Sequence, residues 1–279
     1  MIELLLCTDL DRTLIPNGSQ PESKGARALF SRLTEVASLQ LSYVSGRDQA
    51  LIQQAIADYD LPTPDFAIAD VGSSIYLINH DKWQRWDEWD NDISQDWQGF
   101  SGEDLHSMLE DLSLLQRQEV SKQGKYKCSY YLPLEADHQA MIALIQQRFE
   151  QKQIKANLIW SIDEAAETGL LDILPASANK LHAIMFLMQQ QGFNKQQLIF
   201  AGDSGNDLDV LRSPLQSILV ANASADVRDA LQIERGYTPD NVYFARGNFL
   251  GMNGNYSAGI IEGIAHYRPD LLSMIKGLK

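Results

Sequence analysis

The first fourteen residues constrain this chain more than any other stretch. Ile2, Leu4, Leu5 and Leu6 form a short apolar run, continued by Cys7 and Thr8, that stops at Asp9-Leu10-Asp11-Arg12-Thr13. A run of that length closing on a polar turn reads as a strand buried on both faces of a sheet. Two carboxylates spaced two residues apart leave such a strand on the same side, with Leu10 turned away. In open α/β sheets that carboxyl rim is where ligands bind.

The pattern after it is that of a parallel sheet. Residues 24–37 have helical spacing, 39–44 read as a strand ending in Ser45-Gly46-Arg47, and 48–59 read as a helix stopped by Leu61-Pro62. Residues 66–71 make a third strand, with 75–78 as a short partner. Alternating strands and helices of this kind predict a parallel α/β sheet. The character then changes: residues 79–167 hold all five tryptophans, strand candidates at 125–132 and 156–162, and helix candidates at 105–115 and 140–149. The α/β rhythm resumes from residue 170, with a helix over 179–190 and a strand over 198–201 that ends in Gly202-Asp203-Ser204-Gly205-Asn206-Asp207. Further strands are expected at 217–220 and 242–245, and a closing helix at 257–267. The expected fold is therefore a Rossmann-like parallel-sheet α/β core, residues 1–78 and 170–279, with an inserted α+β cap over residues 79–169.

Charge and cysteine content narrow the function classes. A formal net charge of −14 over 279 residues argues against a nucleic-acid surface, though a bound divalent cation would still let an anionic substrate in. Two distant cysteines, Cys7 and Cys128, make neither a disulfide framework nor a zinc set. The apolar start lacks a basic flank, and no stretch approaches the about eighteen apolar residues of a membrane span. The expectation is a cytoplasmic protein with no membrane or nucleic-acid partner.

Four polar features fall at strand ends or helix starts of the same expected sheet. They are Asp9 with Asp11, Ser45, Lys180 opening a helix, and the acidic loop of Asp203, Asn206 and Asp207. Each has a bland reading: a turn, a solvated lysine, or an aspartate capping the next helix. Together they have a chemical purpose. Asp9, Asp203 and either Asn206 or Asp207 offer hard oxygen ligands for Mg²⁺. A carboxylate can attack phosphorus and split one displacement into two easier ones. Lys180 neutralises phosphoryl charge, the Ser45 hydroxyl and turn amides hold the oxygens, and Asp11 handles the proton of the leaving group. A structural Ca²⁺ loop fails by count: from Asp9 the sixth and twelfth positions are Leu14 and Gln20, and from Asp203 they are Leu208 and Pro214, where Gly and Glu are needed.

In order, Asp9-Leu10-Asp11-Arg12-Thr13, Ser45, Lys180 and the loop from Gly202 to Asp207 resemble the four motifs of the haloacid dehalogenase superfamily. That resemblance implies Asp9 as nucleophile and Asp11 as acid/base. It implies Mg²⁺ held by Asp9, the backbone carbonyl of Asp11 and Asp203, with Asp207 in support. It also implies a substrate-contacting set of Thr13, Ser45, Gly46, Arg47, Lys180 and Asn206. The long insertion is similar to the branch with an α/β cap. Within that branch, the segments VGSSIY, KCSYY, LDILP and GDSGND of the whole chain resemble sucrose-6-phosphate phosphatases and the phosphatase-like domain of sucrose-phosphate synthases. Two features depart from the pattern: Arg12 stands where most of the superfamily has glycine, and the segment 163–169 is long.

In the cap, Lys127 and Ser129 alternate along one strand face and are the expected sugar contacts. Trp83, Trp86, Trp89 and Trp97 could stack on a sugar, but packing is the commoner use of such a stripe. Asp163, Glu164 and Glu167 read as surface charge. The expected function is Mg²⁺-dependent hydrolysis of a phosphorylated disaccharide, foremost sucrose 6-phosphate to sucrose and phosphate through an aspartyl-phosphate. The alternatives are another phosphorylated glycoside, a phosphosugar mutase, or a non-catalytic sugar-phosphate-binding partner of sucrose-phosphate synthase.

Overall fold

A computed structural model describes residues 4–35, 38–80, 82–163, 166–233 and 241–279. The chain divides into two compact units, Met1–Arg85 with Lys180–Lys279, and Trp86–Asn179 between them in sequence.

The larger unit is built on an eight-stranded sheet. Its strands are β1 (Leu4–Thr8), β2 (Leu39–Val44), β3 (Phe66–Ala69), β4 (Ser74–Asn79) and β5 (Lys82–Arg85). The smaller unit contributes β6 (Gln116–Arg117), β7 (Cys128–Leu132), β8 (Ala156–Asp163) and β9 (Thr168–Pro175). The larger unit resumes with β10 (Leu198–Gly202), β11 (Gln216–Leu219) and β12 (Val242–Phe244). The large sheet runs β12-β11-β10-β1-β2-β3-β4-β5, parallel from β12 to β3 and antiparallel over β4 and β5.

Every described residue of β1 is buried, as a strand covered on both faces must be. Leu4 and Leu6 join one cluster with Phe30 of the helix Ala26–Glu35 and with Ile260 and Ile264 of the helix Ser257–Tyr267. Strands following β1 add on one side and β10 to β12 on the other, so the order reverses between β1 and β10. Such a switch point opens a crevice at the carboxyl ends of the two strands. The Asp9–Asp11 turn leaves β1 there, and Asp203 to Asp207 leave β10 beside it.

The smaller unit has an antiparallel sheet in the order β6-β7-β9-β8. Its helices are Asp87–Ser94, Gly102–Leu109 and His138–Glu150. The second of these starts on a capping box between Ser101 and Asp104.

Several expectations are corrected. The 170–174 run belongs to β9, bonded to β7 and β8, and not to the larger sheet. At the other end, β5 extends the larger sheet through a hairpin with β4. The unit boundaries therefore fall at Arg85/Trp86 and Asn179/Lys180, not at 78/79 and 169/170. A five-residue apolar run looks the same in either sheet, and the alternating Lys82-Trp83-Gln84-Arg85 carries little apolar signal of its own. The third strand stops at Ala69 because Asp70, Val71 and Gly72 all turn left-handed, with φ of 51°, 59° and 103°. The tryptophans pack: Trp86, Trp89 and Trp97 are buried, and Trp83 lies against Tyr76 of β4. Met1 to Glu3, Val36, Ala37 and Glu164 lie outside the described residues. No helix among the described residues is long and apolar enough to cross a membrane.

Candidate active site

The first turn is folded around one carbonyl. The N–H groups of Thr13, Leu14 and Ile15 all donate to Leu10 O, at 3.2, 3.0 and 2.8 Å, and Leu10 is fully buried. Asp9 N donates to Ala201 O (2.9 Å), which carries the β1–β10 pairing to the rim. Arg12 adopts φ 60°, the left-handed region that glycine favours. Two amide side chains hold it there: Asn17 Oδ1 accepts from Arg12 N (2.8 Å), and Asn222 Nδ2 donates to Arg12 O (2.5 Å).

Lys180, the first residue of the helix Lys180–Gln190, is buried beneath this rim. Its ammonium donates to Asp9 Oδ1 (2.8 Å), Asp207 Oδ1 (2.7 Å) and Asn206 Oδ1 (3.1 Å), which uses all three of its protons. Asp207 Oδ2 accepts from the N–H groups of Asp203 and Ser204, at 3.0 and 3.1 Å, so both its oxygens are engaged. Gly202 is required here, because a Cβ would lie 2.6 Å from Asp207 Oδ2. Thr13 Oγ1 donates to Asp203 Oδ1 (3.1 Å).

Burial raises the carboxyl of Asp9, Lys180 opposes it, and the charges on Asp207 and Asp203 add to it, to about 7. Burial likewise raises Asp203, with Asp207 adding and Arg12 opposing, to about 6. For Lys180, burial works against the charged form, but Asp207 and Asp9 outweigh it and raise its pKa. Three buried acids thus face a single buried ammonium.

The donor set fits a hard divalent cation. One oxygen from each of Asp9, Asp203 and Asp207 lies within 4.8 Å of the others. Asp203 Oδ2 is buried and accepts no hydrogen bond among the described residues, the state of an oxygen reserved for a ligand. Asp207 is the least available of the three, since its lone pairs are already committed to Lys180 and its own loop.

The remaining expected residues divide into groups. Asp9, Thr13, Lys180, Asp203, Asn206 and Asp207 converge on one cluster. The Asp11 carboxylate lies outside the three-acid group: Arg47 grips it with two bonds, Nε to Oδ2 (2.8 Å) and Nη2 to Oδ1 (2.7 Å), and Asn17 Nδ2 donates to Oδ1 (2.6 Å). Only its backbone carbonyl remains for the expected metal role. Ser45 extends the end of β2, its N–H bonded to Ile68 O (2.8 Å) and its buried Oγ accepting from Arg47 N (3.2 Å) across Gly46. Lys127 and Ser129 belong to the smaller unit. Ser129 Oγ lies 2.5 Å from Asp172 Oδ1, its cross-strand partner on β9. The sequence reading missed Asn17 and Asn222, and it missed the contact of Arg12 Nε with Asp203 Oδ2 at 3.4 Å. An Asn in a Pro-Asn-Gly turn carries no signal beyond the turn itself.

A parallel sheet with its switch point at an Asp-x-Asp turn, a buried lysine and an acidic loop defines a phosphatase of the haloacid dehalogenase superfamily. The chain belongs to the sucrose-6F-phosphate phosphohydrolase family, whose model matches residues 2–268. It is thus a sugar-phosphate phosphatase. A relative from Nitrosococcus oceani, named as a HAD-like hydrolase, is 53% identical over 269 residues, covering 96% of this chain and 72% of that protein. The mannosylfructose-phosphate phosphatase of Agrobacterium fabrum is 26% identical, covering 94% of this chain and 96% of the relative. The sucrose-phosphatase of Synechocystis, solved with sucrose and phosphate, shares the fold at a TM-score of 0.69 and 24% identity, covering 96% and 98% of the two chains.

Proposed function

We propose that the chain hydrolyses a phosphorylated disaccharide, foremost sucrose 6-phosphate, through an aspartyl-phosphate on Asp9. The observation that carries this is the division of labour between the oxygens of Asp9. Lys180 takes Oδ1, while Oδ2 receives no hydrogen bond among the described residues and is the atom to attack phosphorus. The Asp9–phosphorus bond forms as the bond to the sugar oxygen breaks. Asp11 delivers a proton to that oxygen, then accepts one from the water that attacks the phosphoryl group, and Asp9 departs as a carboxylate. The charge of Lys180, the Ser45 hydroxyl and the Gly46 turn amide stabilise the phosphoryl oxygens. Mg²⁺ held by Asp9, Asp203 and the Asp11 carbonyl would supply charge neutralisation at the phosphoryl group.

The smaller unit, spliced in between Arg85 and Lys180, is the natural source of sugar selectivity, with Lys127 and Ser129 as its contacts. Membership of the family supports the sugar named here, and the disaccharide phosphatase of Agrobacterium supports the broader class. Association with a sucrose-phosphate synthase is part of the reading on chemical grounds alone, because the product of such a synthase is the substrate proposed here. Retention of the chain on an immobilised synthase tests it. Two buried, unpaired cysteines suit a reducing cytoplasm.

The test is phosphate release from a panel of phosphorylated disaccharides and monosaccharides, with Asp9→Asn as control. Sucrose 6-phosphate is expected to give the highest kcat/KM, and Asp9→Asn is expected to lose at least about 10³-fold in kcat. A monosaccharide phosphate as the best substrate would overturn the disaccharide reading. Near-normal turnover by Asp9→Asn would overturn the nucleophile.

A further inference from the structure

We propose that Arg12 is a resident counter-cation of the acid cluster, a placeholder on Asp203 that a divalent ion must displace. The inference rests on the reading that Asp9 and Asp203 hold a metal.

Three observations lead to it. The Arg12 Nε atom lies 3.4 Å from Asp203 Oδ2, the one oxygen of the cluster that is buried and accepts no hydrogen bond among the described residues. The backbone of Arg12 is fixed on both sides in a conformation that costs an L-residue energy, with φ 60°, its N–H on Asn17 and its carbonyl on Asn222. Asn222 is itself buried and accepts from the N–H of Tyr256, another left-handed residue (φ 52°), so the clamp reaches into the packed core of the unit. The side chain is therefore launched toward Asp203 by a rigid turn, although it is itself 44% exposed and so has room to leave.

Charge balance gives the placement its purpose. With all three ionised, as a bound cation requires, Asp9, Asp203 and Asp207 set three negative charges against the single ammonium of Lys180. Arg12 reduces that excess when no metal is bound. A divalent ion and Lys180 balance the three acids without it, and a guanidinium left on Asp203 would then be surplus and repelled. Arg12 thus stabilises the metal-free protein and opposes metal binding, through the same oxygen.

The two effects have opposite signs, which separates this role from simple packing. Mn²⁺ binding, followed by the loss of the free-ion spectroscopic signal, and the thermal midpoint of the chelator-treated protein are measured on the full chain for wild type, Arg12→Gln, Arg12→Gly and Arg12→Lys. Arg12→Gln is expected to bind Mn²⁺ about three- to tenfold more tightly, a modest gain because the guanidinium is half in solvent. Its metal-free thermal midpoint is expected to fall. Arg12→Gly, which suits the left-handed backbone, is expected to show the same tightening with the strain removed, and Arg12→Lys to remain near wild type. Unchanged or weaker Mn²⁺ binding in both neutral variants would overturn the inference, and a parallel loss of stability and affinity would assign Arg12 to packing. Failure of wild type to bind Mn²⁺ at all would instead refute the metal site on which the inference rests.

Discussion

At the scale of single residues, the site is held by a few polar atoms with no spare capacity. Lys180 spends all three protons on Asp9, Asn206 and Asp207, and is 2% exposed. Lys180→Met keeps the length of the side chain but strands two buried carboxylates, a loss of about 3–5 kcal/mol in urea unfolding of the metal-free protein. A cost below about 1 kcal/mol would mean that water reaches those carboxylates and the burial argument fails. Asp11 is the opposite case, an acid gripped at the rim. Burial would raise its carboxyl, but the hydrogen bonds and charge of Arg47, with Asn17, hold it below the ordinary carboxylate value. A depressed acid contributes stability above its unfolded-state pKa and loses it as pH falls through the folded value. Arg47→Gln has little of this contribution to lose, so its deficit against wild type should shrink on going from about pH 5 to about pH 2. A deficit constant over that range would show that the pair does not set the titration of Asp11. The same grip means that Arg47 must release Asp11 before it can act as a proton donor. The acids, Ser45 and Lys180 were legible because each sits at a strand end or helix start in a spacing that chemistry demands. Asn222 was not, because its bond to Arg12 joins positions far apart in the chain that share no local pattern.

Among the elements, the strands nearest the site were the most readable. β1 and β2 announce themselves by short apolar runs ending in polar turns, and the helix Ser257–Tyr267 by its periodicity. β9 was placed in the wrong sheet because apolar content states burial but not which sheet does the burying, and β5 went unread as a strand inside the expected cap. The last helix, Leu272–Leu278, follows Pro269 too closely to stand out from the preceding one. Packing between elements is tightest where glycine allows it. The helix Ser257–Tyr267 presses Gly263 onto β11, where a Cβ would fall 2.4 Å from Ile218 Cγ1. Gly263→Ala gains helix propensity but overpacks this contact, and should cost about 1–3 kcal/mol in chemical denaturation. A stabilised variant would show that the helix can slide away at no cost. Glu262 beside it is a buried carboxylate that accepts from Tyr243 Oη and from the N–H groups of Arg246 and Gly247, at 2.8, 2.9 and 3.0 Å. The glycine-rich segment from Gly247 to Gly259 is thus anchored at its start by Glu262. Its end meets Asn222 through Tyr256.

For the molecule as a whole, the acid excess that gives the chain its net charge of −14 is also present in miniature at the β1–β10 crevice. Bulk salt screens the first, but only an ion that enters can relieve the second. Mg²⁺ should therefore raise the thermal midpoint steadily with the logarithm of its concentration, the stabilisation reaching about 2.7 kcal/mol at 100 times the dissociation constant. NaCl at matched ionic strength should not reproduce this, and EDTA should reverse it. An equal response to both salts would reduce the effect to screening.

The place of β1 in the middle of the large sheet has a consequence for how the protein is made. Its two neighbours are β2 and β10, so one flank of the first strand waits for a partner that leaves the ribosome only after the whole of Trp86–Asn179 has been translated. Until then the nascent chain exposes one edge of β1, and Asp9 has neither Lys180 nor the 203–207 loop beside it. A chain broken off before β10 lacks the crevice altogether, and is expected to release no phosphate.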